Sequence, residues 1–301
     1  MTTTATPPYC GRFAPSPSGL LHAGSLTTAV GSYLEARCRN GIWRVRIEDL
    51  DPPREIPGAS RAILATLEAC GLYWDGEVVY QSRRHGLYRE ALERLIAEGH
   101  AYACNCSRRE IALAARAGVD GMVYPGFCRS GMRAGREAHA WRLRVPEQEI
   151  ACVDRLQGDC RQQLARDVGD FVLLRADGCW AYQLAVVVDD AEQGINDIVR
   201  GSDLLVSTPR QLWLQHCLAY ARPGYCHLPL MVNAAGEKLS KQTLAPAISR
   251  DAARDELWRA LSRLGHEPAA DVGGLDELWA WAFANWRLAQ VPAGPVVIGG
   301  A

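Results

Sequence analysis

Residues 11–25, GRFAPSPSGLLHAGS, decide how the first part of this chain folds. Two prolines and several small residues disfavour a helix in the first half of this stretch. After Gly24, apolar residues recur at three- and four-residue steps from Leu26 to Leu34, which predicts a helix. Residues 42–47 then mix apolar and basic side chains as a strand does. The predicted order is strand, loop, helix, strand.

The loop itself has the composition of an anion-binding turn. A loop rich in proline, serine and glycine before a helix brings backbone N–H groups and the positive end of the helix dipole to an anion, most often a phosphate. His22 lies where its imidazole could reach that anion. The alternative is an ordinary strand–helix turn with a buried or solvated histidine, because a short motif is weak evidence alone.

The composition limits the kinds of protein that this chain can be. A formal net charge of −1 provides no overall positive field, so a polyanionic partner would have to be held by local basic patches. The eleven cysteines are odd in number and mostly single within apolar stretches, which indicates reduced, buried thiols. The sequence shows neither a signal-peptide pattern nor a membrane-spanning run. We therefore expect a soluble, cytoplasmic protein without membrane contact.

Residues 9–100 form the first predicted unit, an α/β segment. Its second strand ends in three carboxylates, at Glu48, Asp49 and Asp51. The carboxyl ends of strands in an open α/β sheet are where such folds bind ligands. The alternative is a solvated acidic turn without a ligand.

Residues 101–139 contain a cysteine pattern that could hold a metal ion. Cys104 and Cys106 are one residue apart, and Cys128 follows after a short excursion of the chain. Three thiolates suit zinc, but a fourth ligand must then be recruited. Tyr124 is the nearest oxygen candidate in the loop. Chance is the alternative, since C-x-C is less specific than paired C-x-x-C.

Other local patterns predict individual elements. Ser107 begins a capping box that opens a short helix, which we expect to end at Gly118. Residues 180–188, WAYQLAVVV, are the longest β-rich run and predict a strand. A further helix is expected from Ser207, capped by that hydroxyl, and a further strand over residues 228–232.

The third and fourth predicted segments are residues 140–242 and 243–301. The third ends in an exposed polar loop, EKLSKQ, which contains Lys238 and Lys241. A solvated lysine loop is the alternative to a functional one. The fourth segment carries apolar residues at three- and four-residue steps and predicts amphipathic helices that pack into the core.

Taken together, the two loops resemble the signature sequences of a known family. PSPSGLLHAGS before the first helix and KLSK after the last strand are similar to the HIGH and KMSKS signatures of class I aminoacyl-tRNA synthetases. RFAPSP at residues 12–17 and VRIEDLD at residues 45–51 resemble glutamyl-tRNA synthetases in particular. This resemblance implies an α/β fold with a Rossmann-like, doubly wound parallel sheet, a small inserted zinc-binding element and a short helical C-terminal region.

The sequence departs from glutamyl-tRNA synthetases after Gln242. Only enough residues for two or three helices follow, whereas those enzymes carry a large helical anticodon-binding domain. This shorter form and the Cys-x-Cys…Tyr-x-x-x-Cys element resemble the glutamyl-queuosine tRNA(Asp) synthetases. That family activates glutamate and attaches it to the queuosine base in the anticodon of tRNA(Asp). The resemblance implies one structural zinc ion on Cys104, Cys106, Tyr124 and Cys128.

The same resemblance implies substrates, partners and residue roles. We expect L-glutamate, ATP with Mg²⁺ and queuosine-bearing tRNA(Asp) as partners of a monomeric enzyme. The residues that match the catalytic positions are His22, Lys238 and Lys241. The residues that match the glutamate-binding positions are Arg12, Ala14, Ser16, Glu48, Tyr182 and Arg200. The residues that match the ATP-binding positions are His22, Gly24, Ser25 and Lys241.

One position departs from the signature, and two other functions stay open. Ser25 stands in place of the second histidine of HIGH, which weakens one phosphate contact. A shortened synthetase that charges a tRNA 3′ end is one alternative function. A catalytically silent tRNA-binding paralogue is the other, although both signature lysines, Glu48 and Arg12 are present.

Overall fold

The first part of the chain forms a parallel sheet with helices between its strands. A computed structural model describes residues 7–238 and 247–298. The elements of this first part are β1 (Cys10–Phe13), α1 (Ala23–Arg37), β2 (Ile42–Ile47), α2 (Ala59–Ala69), β3 (Val79–Tyr80) and α3 (His85–Ala97). The sheet order is β1-β2-β3, and both pairings are parallel. The predicted order of strand, loop, helix and strand is confirmed.

The middle of the chain consists of small antiparallel units. Its elements are β4 (Ala101–Cys104), α4 (Arg108–Ala114), β5 (Arg116–Gly118), β6 (Gly121–Val123), β7 (Ala140–Leu143), β8 (Ile150–Asp154), β9 (Gly158–Gln162), α5 (Leu164–Asp167) and β10 (Val172–Leu174). Strand β7 lies between β4 and β10, β5 pairs with β6, and β8 pairs with β9. This region is inserted between the two parallel parts of the fold.

The last part of the chain returns to parallel pairing. Its elements are α6 (Tyr182–Glu192), β11 (Asp197–Gly201), α7 (Thr208–Cys217), β12 (Gly224–Leu228), β13 (Met231–Val232), α8 (Ala253–Arg263), α9 (Leu275–Asn285) and β14 (Val296–Val297). Strands β11, β12 and β8 are parallel neighbours. The Asn196 N–H donates to the Cys10 carbonyl at 3.0 Å, so β11 lies beside β1 and the two parallel sheets adjoin.

The strand predicted over residues 180–188 is wrong. Most of that run belongs to helix α6, in which every side chain from Leu184 to Asp190 is buried. A helix that is buried on all sides has no polar face, so its apolar run looks the same as that of a buried strand. Two acidic residues, Asp189 and Asp190, are part of this buried helix.

Three smaller predictions also need correction, although the capping box at Ser107 is confirmed. The helix that it opens ends at Ala114, because the chain turns into the β5–β6 hairpin that contains Gly118. The Ser207 hydroxyl does not cap α7 but accepts hydrogen bonds from the Gln183 and Arg210 side chains. Residues 228–232 are not one strand, since β12 ends at Leu228 and β13 begins three residues later, at Met231.

Helix α1 is the centre of the main core. It packs against β1, β11 and the C-terminal helix α8. A Cβ atom on Gly31 would lie 2.5 Å from Leu228 Cδ1, so this glycine allows α1 to approach β12 closely. Trp279 of α9 meets Tyr33 edge to face at 5.1 Å between ring centres. The predicted C-terminal helices are thus confirmed and pack against α1.

None of the helices in the described ranges is long and apolar enough to cross a membrane. The division into segments 9–100, 101–139, 140–242 and 243–301 stays a prediction.

Leu34→Ala should lower the free energy of unfolding by about 2–5 kcal/mol, because it empties a fully buried position on α1. Leu113→Ala is the matched control. Leu113 is 81% exposed on α4, so its loss should change stability by about 0.5 kcal/mol at most. Denaturant unfolding followed by circular dichroism measures both variants. Equal losses would contradict the central position of α1 in the core.

Candidate active site and metal centre

A cleft of about 900 Å³ opens where the loop after β1 meets the carboxyl ends of β2, β11 and β12. This is the edge at which parallel α/β sheets bind ligands. The predicted site residues that line the cleft are Arg12, Ala14, Ser16, His22, Gly24, Ser25, Glu48, Tyr182, Arg200 and Lys238. Lys241 lies outside the described residues. The structure therefore brings the described members of the predicted glutamate and ATP groups into one cleft, and their roles stay predictions.

His22 caps the first helix with its own side chain. Its Nδ1 accepts from the Ser25 N–H at 3.4 Å, and its Nε2 lies 3.0 Å from the Ser25 hydroxyl. A Cβ atom on Gly24 would lie 3.2 Å from His22 Cε1, so glycine leaves room for the imidazole over the start of α1. Ser25, which departs from the family signature, is thus a direct partner of the signature histidine.

A buried ionic network lies beneath this side of the cleft. Arg12 donates to Asp190 twice, from Nε at 3.0 Å and from Nη2 at 3.3 Å. Arg46 donates from Nη1 to the same carboxylate at 2.8 Å and contacts Glu48 at 3.3 Å. Burial alone would raise the pKa of Asp190, but the two guanidinium groups hold it below its ordinary value. Asp190 is therefore an ionised carboxylate that already occupies one edge of Arg12.

Unlike Asp190, Glu48 and Tyr182 both have pKa values above their ordinary values. Burial raises the pKa of Glu48 above its ordinary value in spite of Arg46 and Arg12. Burial likewise raises the pKa of Tyr182, which is the first residue of α6. A cationic group bound beside Glu48 would favour its ionised form.

Sequence reasoning missed the acidic pair on α6 and the arginine on β2. Asp189 accepts from Gln81, Arg84 and Tyr88 at 2.6–2.8 Å, and it is fully buried like Arg46. The sequence did contain a signal, since two adjacent aspartates directly follow an apolar run. Buried carboxylates need cationic partners, so this pair could have indicated buried arginines nearby.

Arg200 differs from Arg12 in its partners. Its Nε donates to His227 Nε2 at 3.0 Å, and its Nη2 donates to Thr208 Oγ1 at 3.0 Å. Its Nη1 is buried and has no hydrogen-bond partner among the described residues. No carboxylate of the described ranges forms an ion pair with this guanidinium, so the cleft presents a buried cation that an anionic ligand would complement.

The segments that flank the second signature loop both reach the cleft. Lys238 forms an ion pair with Asp203 at the rim. On the far side of the loop, Ala247 pairs with His22 as an isolated β-bridge, and the Ile248 N–H donates to the Leu21 carbonyl at 2.9 Å. The loop between β1 and α1 therefore contacts residues 247–248, which follow the second signature loop.

The three predicted cysteines converge. The sulfur atoms of Cys104, Cys106 and Cys128 all lie within 4.8 Å of one another. The Tyr124 hydroxyl lies 3.4 Å from two of them, at Cys104 and Cys106, and it accepts from the Cys128 N–H at 2.9 Å. This cluster of three thiols and one phenol is the candidate metal centre.

The dimensions and charges of this cluster fit a tetrahedral metal ion. Tetrahedral zinc implies about 3.8 Å between two sulfur ligands and about 3.5 Å between a sulfur and an oxygen ligand. The Cys106 and Cys128 sulfurs are 3.5 Å apart, and the Tyr124 hydroxyl lies 3.4 Å from the Cys104 and Cys106 sulfurs. Burial alone would raise the pKa of Cys104, but hydrogen bonds from Tyr124, the Cys106 N–H and Arg142 hold it below its ordinary value. Burial raises the pKa of Cys106 to about 11. A bound cation would remove that penalty on a second thiolate.

Comparisons with known proteins agree with this geometry. The family model for the catalytic domain of class I tRNA synthetases (E and Q) matches residues 10–273. A glutamyl-Q tRNA(Asp) synthetase from Chromobacterium violaceum is 73% identical, over 96% of this chain and 97% of its own length. The chain belongs to the glutamyl-Q tRNA(Asp) synthetase family. It is therefore a ligase of the class I tRNA synthetase type.

A second relative supports this family membership, and two solved structures support the fold. The glutamyl-Q tRNA(Asp) synthetase from Dechloromonas aromatica is 58% identical, over 97% of this chain and 98% of its own. A glutamate tRNA ligase from Elizabethkingia meningosepticum superposes with a TM-score of 0.81 at 23% identity, over 97% of this chain and 67% of that one. The glutamate-tRNA synthetase from Elizabethkingia anophelis superposes with a TM-score of 0.80 at 24% identity, over 96% of this chain and 68% of that one. The predicted α/β class I synthetase fold is confirmed.

Cys128→Ser should reduce the zinc retained after loading and dialysis from about one ion per chain to a small fraction, because it removes one ligand of the cluster. Cys38→Ser is the matched control, since Cys38 is exposed and lies outside the cluster. Metal content is measured by mass spectrometry. Full zinc retention in Cys128→Ser would contradict the metal centre.

Proposed function

We propose that this protein activates L-glutamate with ATP and transfers it to the queuosine base in the anticodon of tRNA(Asp). The observation that carries the proposal is the buried Arg200 guanidinium, which lines the cleft with one nitrogen unpaired and no carboxylate partner in the described ranges. A substrate with two carboxylates complements such a cation. The names of relatives that match nearly the whole chain support both glutamate and the queuosine acceptor.

The first step forms glutamyl-adenylate. A carboxylate oxygen of glutamate attacks the α-phosphorus of ATP, the bond to the bridging oxygen breaks, and pyrophosphate leaves with Mg²⁺. Negative charge gathers on the phosphate oxygens, so catalysis depends mainly on positioning and electrostatic stabilisation. We assign phosphate binding to His22, Gly24, Ser25 and the α1 N-terminus. Lys241, assisted by Lys238, neutralises the charge of the transition state.

The amino acid is bound on the other side of the cleft. We assign a substrate carboxylate to Arg200, because Arg12 already forms a bidentate pair with Asp190. Arg12 then supports the same pocket together with Ala14 and Ser16 of the loop. Glu48 takes the α-ammonium, whose charge favours the ionised carboxylate. Tyr182 borders the bound substrate.

We propose that the ion of the metal centre is one structural zinc. Three thiolates and the phenol oxygen would supply all four ligands of such an ion, so it would have a structural and not a catalytic role. The ion would hold the loop between Cys104 and Cys128 against strand β7, since Cys104 is paired there with Ala140. The cytoplasmic location and the monomeric state expected from the sequence stay predictions.

Radiolabelled glutamate should be transferred to tRNA(Asp) that carries queuosine and not to the same tRNA without it. Nuclease mapping should place the label in the anticodon fragment. The matched control is tRNA(Asp) from cells that do not make queuosine, because it differs only at the acceptor base. Label at the 3′ end would favour the shortened charging enzyme, and an absence of both adenylate and transfer would favour the silent paralogue.

Arg200→Ala should lower kcat/KM for glutamate in ATP–pyrophosphate exchange by a factor that corresponds to about 2–5 kcal/mol, because the substrate carboxylate loses its cation in a partly desolvated site. The exchange is expected without tRNA, since the described substrate-binding side chains share one cleft. Arg161→Ala is the control, because Arg161 is an exposed residue of β9. Unchanged kinetics in Arg200→Ala, or glutamine activated as well as glutamate by the unaltered protein, would contradict the assignment.

A further inference from the structure

Three neighbouring strands contribute one residue each to a buried chain of hydrogen bonds behind the cleft. His227 on β12 lies directly opposite Arg200 on β11, and Asp154 is the last residue of β8. His227 Nδ1 lies 2.6 Å from Asp154 Oδ2, and His227 Nε2 accepts from Arg200 Nε at 3.0 Å. All three side chains are at least 95% buried.

The donors and acceptors among Arg200, His227 and Asp154 permit one arrangement of protons. An arginine Nε can only donate, so His227 Nε2 must carry a lone pair. The remaining proton of a neutral imidazole is then on Nδ1, where it is donated to Asp154. Burial lowers the pKa of His227, which keeps the ring neutral beside the guanidinium.

The Asp154 carboxylate is itself held in place. Its Oδ1 accepts from the backbone N–H groups of Leu156, Gln157 and His227 at 2.9–3.1 Å. Burial alone would raise the pKa of Asp154, but the hydrogen bond from the His227 side chain and these backbone N–H groups hold it below the ordinary value. The carboxylate is therefore a fixed acceptor, and it selects the histidine tautomer.

Beside His227, Thr208 Oγ1 accepts from Arg200 Nη2 at 3.0 Å and lies 3.3 Å from His227 Nε2, where its own proton can be donated to the ring nitrogen. With Nε and Nη2 both engaged, the plane of the guanidinium is set and Nη1 is the nitrogen left without a partner among the described residues. The orientation of the substrate-binding nitrogen thus depends on groups outside the cleft lining, since neither Asp154 nor His227 lines it.

We propose that Asp154 and His227 are positioning residues that orient Arg200 toward a glutamate carboxylate and so contribute to the choice of amino acid. The inference rests on the proposed function, because it assigns these residues to the same substrate pocket. Neither residue touches the substrate. Asp154 acts through His227, and His227 acts through Arg200.

Asp154→Asn tests the first link. The asparagine keeps its shape and an oxygen for the backbone N–H groups, but its NH₂ faces His227 Nδ1 and forces the proton onto Nε2, opposite the Arg200 donor. We expect KM for glutamate in pyrophosphate exchange to rise about tenfold or more, with KM for ATP unchanged. The ratio of kcat/KM for glutamate to that for glutamine should fall in parallel.

Two substitutions at His227 test the second link and do not depend on the folding of Asp154→Asn. His227→Gln retains an acceptor oxygen for Arg200 Nε, so KM for glutamate should stay within about threefold of the unaltered protein. His227→Leu removes the acceptor and should raise KM about tenfold or more. An amide has no tautomers, so Asp154→Asn should have a much smaller effect on KM in the His227→Gln background.

Nuclear magnetic resonance of ¹⁵N-labelled histidine provides a readout that does not require activity. His227 should be protonated at Nδ1 in the unaltered protein and at Nε2 in Asp154→Asn. If the unaltered protein shows no ATP–pyrophosphate exchange with glutamate, the proposed function fails. The resonance measurement then still decides the tautomer of His227. The inference is overturned if the tautomer does not change, or if both residues alter only the melting temperature and leave KM for glutamate unchanged.

Discussion

The Asp190 carboxylate holds together the two parallel parts of the fold and so determines the cleft between them. It binds Arg12 on β1 and Arg46 on β2, although it belongs to helix α6 far along the chain. Removing one member of such a buried ionic group leaves an uncompensated charge, which costs about 3–5 kcal/mol. The group therefore joins distant segments in one relative position, and it places Glu48 beside Arg46 at the cleft.

The charges of the cleft are distributed unequally, and this has a chemical consequence. Arg12 and Arg46 are neutralised by carboxylates of the protein, whereas Arg200 is surrounded by an imidazole, a hydroxyl and a backbone carbonyl. A buried cation with neutral partners is a poor stabiliser of the fold but a strong attractant for an anionic ligand. Within the described residues, ion pairs thus build the wall of the cleft, and the Arg200 guanidinium, which has no carboxylate partner there, is the group that we propose for recognition.

The cysteine cluster shows a different relation between sequence and structure. Cys104 and Cys106 are placed by the end of β4, and β4 is placed by its antiparallel pairing with β7. Cys128 and Tyr124 come from the loop that follows the β5–β6 hairpin. Arg142 of β7 lies over the Tyr124 ring, with 3.8 Å between its Cζ and the ring centre, and donates to Cys104 Sγ at 3.4 Å. The candidate ligands are local in sequence, whereas Arg142 and the strand that carries it are farther along the chain.

The amino-acid sequence by itself determined the strand–loop–helix–strand unit, the capping box at Ser107 and the C-terminal helices, because periodicity and turn chemistry act over a few residues. Only the tertiary structure decided that residues 182–192 are helical, since a helix buried on every side has no polar face to mark its period. It alone also revealed Asp190 between Arg12 and Arg46, and Asp154 behind His227. These partners are far apart along the chain, and their pairing follows from the cost of burying charge, which no local pattern records.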